Sequence, residues 1–484
     1  MSQIIEAWDE ADFESIAKLT LSRFKRKDVR MAIRESRFAL KMLDLAKKYE
    51  LPATETHETS RPLRVVSILH SSLPSHTGGY TGRAQGILKG LANVGVEIRP
   101  YTRPGFYSER VDKKAEFPYP VQIVDGIAYR HLPTDVKRSQ GEYEYMYKAI
   151  NWYRRAIMAE RPDVVHLRST HLSALPAMIA AHSLNIPTVY EVSGLWELVY
   201  EGRGQLGRAN RARRMEDAVC ALSDKVVTMN NSMASLLNER AGFDLQIGMV
   251  PNAVDISKFA LTPDLADARP FNFDLGYVGS LVDYEGLGTL IEALAVVREK
   301  SGREIRARIV GNGNELPKLK ELARTFGVED NVHFPGRVSA DEAVRQYDDV
   351  NIVVLPRLST PATEVVTPLK PFEAMAAGRP LILSDVSALQ EVSEHGNCAL
   401  VFRSGDAEDL ADKIIQLLND QEKQLAMVRE AKQKVANDHN WDGVALAFKR
   451  ELEAVRRPKE QLPFIKKDHS WQQVGQLLIG EGQY

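Results

Sequence analysis

The stretch RLSTPATEVVTPLKPFEAMAAGRPLILSDVSALQE, residues 357–391, carries the pattern from which the fold is read. Pro368 and Pro371 suit a loop that opens into a first helical turn, where a helix has no intrahelical partner for its N–H groups anyway. Gly378 suits the cap at the other end, and the apolar run PLILSDV that follows reads as a buried strand. A short helix leading into a short strand is half of a βαβ unit. The start of this helix would aim unpaired N–H groups at an anion, with the Lys370 ammonium beside them. Glu373 falls about one turn in, where a carboxylate can accept two ribose hydroxyls. An acid that merely favours the helix dipole is the plainer account of Glu373.

The same alternation runs outward in both directions. FDLGYVGS (273–280), IRARIVGNG (305–313), NVHFPGR (331–337), VNIVVLPR (350–357) and CALVF (398–402) read as further strands, separated by helical patterns such as ELPKLKELARTFG. Upstream, LRVVSILH (63–70), VEIRPYT (96–102), VQIVDGIAYRH (121–131), PDVVHLR (162–168), IPTVYEV (186–192) and DKVVTMN (224–230) repeat the rhythm. Between the two series VPNAVDISKFALTPDLADARP (250–270) breaks it with three prolines. The expectation is therefore an α/β protein with two doubly wound Rossmann-like domains, over 61–255 and 256–455. Residues 456–484 read as a C-terminal tail or helix, with Asn440 and Ser470 as N-caps of two late helices.

Residues 1–60 differ. Between Lys18 and Lys48 eleven Lys and Arg stand against three acids, without Gly or Pro, and end in the linker-like LPATETHETSRP. A basic helical element facing an anionic surface and a helical cap with a solvated charged face are both open readings. Over the whole chain of 484 residues, 63 Lys and Arg nearly balance 65 Asp and Glu, which gives no global reason to bind nucleic acid. Hydrophobic residues at 44% and charged ones at 26% exclude wholesale disorder. Cys220 and Cys398 are too few for a disulfide framework or a thiolate metal site. The start MSQIIEAWDE lacks a secretion signal, and no apolar run reaches the roughly 20 residues of a membrane span. The chain is expected in a reduced, cytoplasmic setting.

Two Rossmann-like domains invite a dinucleotide reading, but no G-x-G-x-x-G turn follows a strand and no G-x-x-x-x-G-K-[ST] loop occurs. The first loop instead reads SSLPSHTGGYTGRAQG (71–86), and the second domain offers Gly311-Asn312-Gly313. A Gly78-Gly79 pair at a helix start lets backbone N–H groups approach a phosphate or a sugar, though a tight turn also uses it.

Taken in order, the Gly78-Gly79 loop, PDVVH (162–166), VYEVSGLWE (189–197), VPNAVD (250–255), GYVGS (276–280), Gly311-Asn312-Gly313 and FEAMAAGRPLILSD (372–385) resemble the retaining glycosyltransferases of family 4, which have the GT-B fold. The resemblance covers residues 63–455 and leaves out the N-terminal helices. It is closest to members that bear TPLK. It implies a C-terminal domain that holds a nucleotide sugar, an N-terminal domain that holds the acceptor, and reaction in the cleft they face. By the same resemblance Glu373 binds the ribose, Thr367, Pro368 and Leu369 meet the diphosphate, and the backbones of Gly79, Gly279, Ser280 and Gly313 border the donor. His166 contacts the transferred sugar, and Gly78, Arg168 and Glu197 lie on the acceptor side.

The chain departs from that pattern where charge matters. Relatives often carry an Arg and a Lys after the GYVG strand to clamp the diphosphate; here those places read Ser280 and Glu285. A departing diphosphate still needs countercharge, so Arg357 and Lys370 are expected to supply it. Val365 stands where a second Glu is common, Arg168 where a second His is, and Ser193 where an Arg is. The implied reaction is retaining transfer from an NDP-sugar, UDP-linked, to a hydroxyl of a glycan, lipid-linked or small-molecule acceptor, without metal or other cofactor. His166, Arg357 and Lys370 are the expected catalytic groups. A sugar-nucleotide epimerase or hydrolase on the same fold, and a non-catalytic scaffold, are the alternatives. Arg203, Arg208, Arg211, Arg213 and Arg214, with the basic N-terminal helices, offer a peripheral membrane contact, and two solvated faces explain them equally well.

Overall fold

The computed structural model describes residues 2–52, 61–109, 121–133, 138–260, 262–263, 265 and 270–457. The expected tail, with Ser470, lies outside the described residues from 458 onward, as does most of the linker at 53–60. The chain divides into two units: residues 1–228, 234–250 and 445 onward form the first, and residues 229–233 and 251–444 the second.

The first unit is built on strands β1 (Arg64–Leu69), β2 (Glu97–Thr102), β3 (Val121–Val124), β4 (Ile127–His131), β5 (Val164–Arg168), β6 (Thr188–Val192), β7 (Lys225–Thr228) and β8 (Gly248–Met249). Their order across the sheet is β3-β4-β2-β1-β5-β6-β7-β8. All pairs are parallel except β3 with β4. VQIVDGIAYRH is thus two strands and not one. Asp125 and Gly126 between them have φ of 47° and 80°, the left-handed values that a two-residue hairpin turn demands. The Asp-Gly pair is the local signal for that turn, and the apolar run on either side masks it. β5 and β6 are buried along their whole length, as strands covered by helices on both faces should be.

The N-terminal helices belong to this unit. Helix Lys27–Lys48 packs on helices Glu142–Glu160 and His171–His182, and Ser2–Asp9 packs on Leu206–Leu222. Val29, Ile33, Ala39 and Met42 are fully buried, and Glu35 reaches over to accept the Tyr143 N–H at 2.7 Å. A Cβ on Gly141 would stand 2.2 Å from Glu35 Oε1, so glycine there is what lets this carboxylate cap the next helix. Four of the five clustered arginines also have partners within the unit. Arg211 pairs with Asp9 at 2.8 Å beneath Trp8, Arg214 with Glu14 over Phe13, and Arg213 with Glu201 at 2.8 Å; Arg208 lies over Tyr200. Among the described residues no helix is long and apolar enough to cross a membrane.

The second unit carries β9 (Phe273–Val278), β10 (Ala307–Val310), β11 (Val332–Gly336), β12 (Val350–Leu355), β13 (Leu381–Ser384) and β14 (Leu400–Phe402). The order β11-β10-β9-β12-β13-β14, all parallel, is that of a doubly wound sheet. Fully buried Leu275, Ile309, Ile352, Val354 and Ile382 fill its centre, between helices that include Leu287–Ser301 and Ala407–Leu418. Each such side chain contributes about 1.5–3 kcal/mol by leaving water. Asn440 caps the last described helix through the Gly443 N–H at 2.8 Å, and the division between units falls inside that helix.

Candidate functional site

In an open parallel sheet, neighbouring loops separate where the strand order reverses, and the crevice lies beyond the carboxyl ends of the two strands concerned. In the second unit these strands are β9 and β12. The loop after β9 runs through Gly279, Ser280 and Glu285, and the loop after β12 begins with Pro356 and Arg357. Three charges meet there. Glu285 is 2% exposed, and its Oε1 accepts from Lys370 Nζ at 2.6 Å and from Arg357 at 3.0 Å. Burial opposes ionisation of this carboxyl, but Lys370 and Arg357 outweigh it and hold it down at about 2. Gly279 makes room for this arrangement, since a Cβ there would stand 2.2 Å from Lys370 Cε.

Lys370 and Glu373 share the helix Lys370–Ala376, whose start has no side-chain cap. Leu369 is its N-cap residue, and Pro368 and Thr367 lead into it. Glu373 is half-buried beside the Tyr347 hydroxyl at 3.5 Å, and burial pushes its carboxyl up while Lys370 opposes the shift. Thr367 is held from both ends: Asn230 donates to its hydroxyl at 2.6 Å and Asn252 to its carbonyl at 2.6 Å. Asn230, Asn252 and Tyr347 are the residues that sequence reasoning passed over. Asn252 stands in VPNAVD and Asn230 at the end of DKVVTMN, but nothing local to either indicates Thr367.

In the first unit the reversal lies between β1 and β5. Gly78 and Gly79 follow β1 and open the helix Gly79–Asn93; a Cβ on either would meet no atom within 4 Å. The chain itself therefore makes no packing demand for glycine here. The expected sugar contact of His166 does not fit its surroundings. His166 is fully buried, with Nδ1 on Ser67 Oγ at 3.0 Å, Nε2 on Glu191 at 3.0 Å, and the Phe448 ring against it at 4.8 Å. Both ring nitrogens are engaged, so it serves the core. Arg168 is likewise fully buried, paired with Glu191 at 2.8 Å, and it donates to the Tyr80 carbonyl at 3.1 Å. Glu197, expected on the acceptor side, is fully buried and bonded to Arg240 at 2.6 Å. Neither offers a face to an acceptor.

Comparison with known proteins agrees with the two-domain fold. The glycosyl transferases group 1 family matches residues 271–434, and the glycosyl transferase 4-like domain matches residues 78–253. The chain belongs to the family 4 glycosyltransferases. Among its relatives, a glycogen synthase of Mycobacterium tuberculosis is 26% identical over 311 residues, 63% of this chain and 73% of that enzyme. A D-inositol 3-phosphate glycosyltransferase of Corynebacterium urealyticum is 29% identical over 236 residues, 45% of this chain and 54% of that one. In fold the glycosyltransferase is similar to the sucrose-phosphate synthase of Thermosynechococcus elongatus, with a TM-score of 0.66, 20% identity and coverage of 80% and 98%. HepE of Anabaena, solved with UDP, gives a TM-score of 0.62 at 17% identity, covering 81% and 100%. These structures have the GT-B fold.

Within this glycosyltransferase the glycines of Gly311-Asn312-Gly313 have an internal use. A Cβ on Gly311, whose φ is 141°, would lie 1.8 Å from the Gly279 carbonyl oxygen, and one on Gly313 would lie 1.9 Å from that of Leu281. The loops after β9 and β10 pass backbone against backbone, and glycine is what permits it. Ser280 is exposed, and its carbonyl accepts from the Tyr277 hydroxyl at 2.9 Å. Glu364, one place from the missing second glutamate, bonds the Ser387 N–H at 2.8 Å and so caps a neighbouring helix.

Proposed function

We propose that this glycosyltransferase moves a sugar from a nucleoside-diphosphate donor, UDP-linked, to a hydroxyl acceptor with retention at the anomeric carbon. The observation that carries the reading is the placement of Lys370 and Glu373 on one helix, with Arg357 at the strand-order reversal of the second unit. Two cations there suit a diphosphate, and a carboxylate one turn further suits a ribose diol. The solved relatives with UDP, and with UDP-glucose, support the choice of nucleotide. In this reaction the bond from the anomeric carbon to the diphosphate breaks and the diphosphate keeps the electron pair. The acceptor oxygen bonds the same face, and its proton passes to the departing phosphate. Arg357 and Lys370 stabilise the negative charge that grows on the departing diphosphate. The acceptor lies beside the Gly78-Gly79 loop of the first unit, where the chain leaves open space at a helix start.

A panel of UDP- and GDP-sugars, each with and without candidate acceptors and followed by NMR of the anomeric proton, tests the proposal. Nucleotide release that depends on acceptor, with a product of the donor's anomeric configuration, is the expected result. Conversion at the same rate without any acceptor would identify an epimerase or hydrolase instead. A second result bears on the glycine pair. Gly79→Ala is expected to unfold at the same temperature or slightly higher, because alanine in a helix gains about 0.4–1 kcal/mol over glycine and meets no neighbour here. Turnover should nevertheless fall at least about tenfold if backbone and ligand approach closely at this point. Unchanged turnover at saturating donor and acceptor would remove the loop from the site.

A further inference from the structure

We propose that Glu285 is a positioning residue that sets donor affinity, standing in the diphosphate site as a resident counter-charge to Arg357 and Lys370. The inference rests on the reading above, in which those two cations meet the donor. Three observations carry it. First, one oxygen, Oε1, bridges both cations, at 2.6 Å to Lys370 and 3.0 Å to Arg357, as a bridging phosphate oxygen would. Second, among the described residues Oε2 is buried without a hydrogen-bond partner. Third, the backbone fixes it there. Gly286 closes the turn Asp283–Glu285 with φ of 68°, and a Cβ on it would lie 1.9 Å from the Pro356 carbonyl oxygen. The loop after β9 is thereby seated on the loop after β12, and Glu285 is directed between the cations by the fold.

The consequence is a matter of charge. Two cations and one carboxylate leave the site with a net charge of about +1 rather than +2. An incoming diphosphate must share Lys370 and Arg357 with Glu285 or displace it. Donor and nucleotide product therefore both bind less tightly than two free cations would hold them. A residue that merely supported the loop would lower affinity when replaced; one that competes with the ligand raises it.

Calorimetric titration of the full chain with inorganic pyrophosphate, and separately with UDP, reads this directly. Glu285→Gln is expected to bind pyrophosphate about tenfold tighter than the parent protein, with a steeper salt dependence, and Lys370→Met about tenfold weaker. The double variant Glu285→Gln/Lys370→Met restores the net charge and should return to within about threefold of the parent. Should Glu285→Gln be too unstable to purify, Glu285→Asp, which draws the carboxylate back by one methylene, is expected to tighten binding by a smaller factor. Pyrophosphate and UDP affinity that stays the same or falls in Glu285→Gln, or a double variant as weak as Lys370→Met, overturns the proposal. Lys370→Met with undiminished affinity for both ligands would instead overturn the assignment of the cations to the donor, and this inference with it.

Discussion

Lys370→Ala is expected to reduce turnover about 10²–10³-fold at saturating donor and acceptor, with the protein still folded. The magnitude is that of removing one preorganised group from a developing oxyanion in a site with little water. Among the described residues Lys370 is one of two cations bonded to Glu285, and its side chain occupies space that Gly279 leaves for it. The fold should survive because Glu285 keeps Arg357 at 3.0 Å, so no buried carboxylate is left without a cation. The loss of stability should therefore be smaller than the about 3–5 kcal/mol that follows when a buried pair loses its only partner. Single-turnover kinetics beside thermal unfolding separate the two effects. A rate within about threefold of the parent, at an unchanged donor affinity, would show that Lys370 does not face the leaving group.

The strands were legible because each is a short apolar run bounded by turn residues, and parallel strands buried on both faces leave no polar alternation to confuse the reading. β5 and β6 show this most plainly. The hairpin of β3 and β4 was hidden by the same rule, since an apolar run on both sides of Asp125-Gly126 looks like one long strand. In the candidate site, Arg357, Lys370 and Glu373 could be named because they lie within one stretch of seventeen residues. Glu285 could be seen only as a cation missing from its expected place. Its partners are 72 and 85 residues away, and the contact depends on how two loops seat on each other. His166 failed for a related reason. His166 lies in the middle of β5, where burial is set by what covers the strand, and Phe448 arrives from 282 residues further along the chain. The clustered arginines read as a free basic patch because Asp9 and Glu14, their partners, precede them by about 200 residues. Local pattern fixes which residues are charged; only tertiary contact fixes which charges remain available.

That distinction governs the largest expected effect on stability. Glu191→Ala should destabilise the first unit by at least about 3–5 kcal/mol, a large share of the 5–15 kcal/mol typical of a domain. Glu191 is fully buried and meets Arg83 at 2.8 Å, Arg168 at 2.8 Å and His166 at 3.0 Å, so its removal takes the same carboxylate from two buried guanidinium groups at once. Burial works against its charge, but Arg168 and Arg83 outweigh it and hold the carboxyl well below the usual range. A depressed folded pKa means stability that is present above the unfolded value near 4.3 and lost as the pH falls below it. Urea unfolding at pH 7 and at pH 3 should therefore differ by less in Glu191→Ala than in the parent. The same charge reaches the Gly78-Gly79 loop, because Arg168 bonds the Tyr80 carbonyl and the Tyr80 hydroxyl accepts from the His70 N–H at 2.9 Å. If the cluster acts through paired charge, replacing Glu191 and Arg168 together by leucine should recover part of the stability while leaving turnover low. A double variant no more stable than Glu191→Ala would mean that strand packing, and not the lost carboxylate–guanidinium contacts, accounts for the loss.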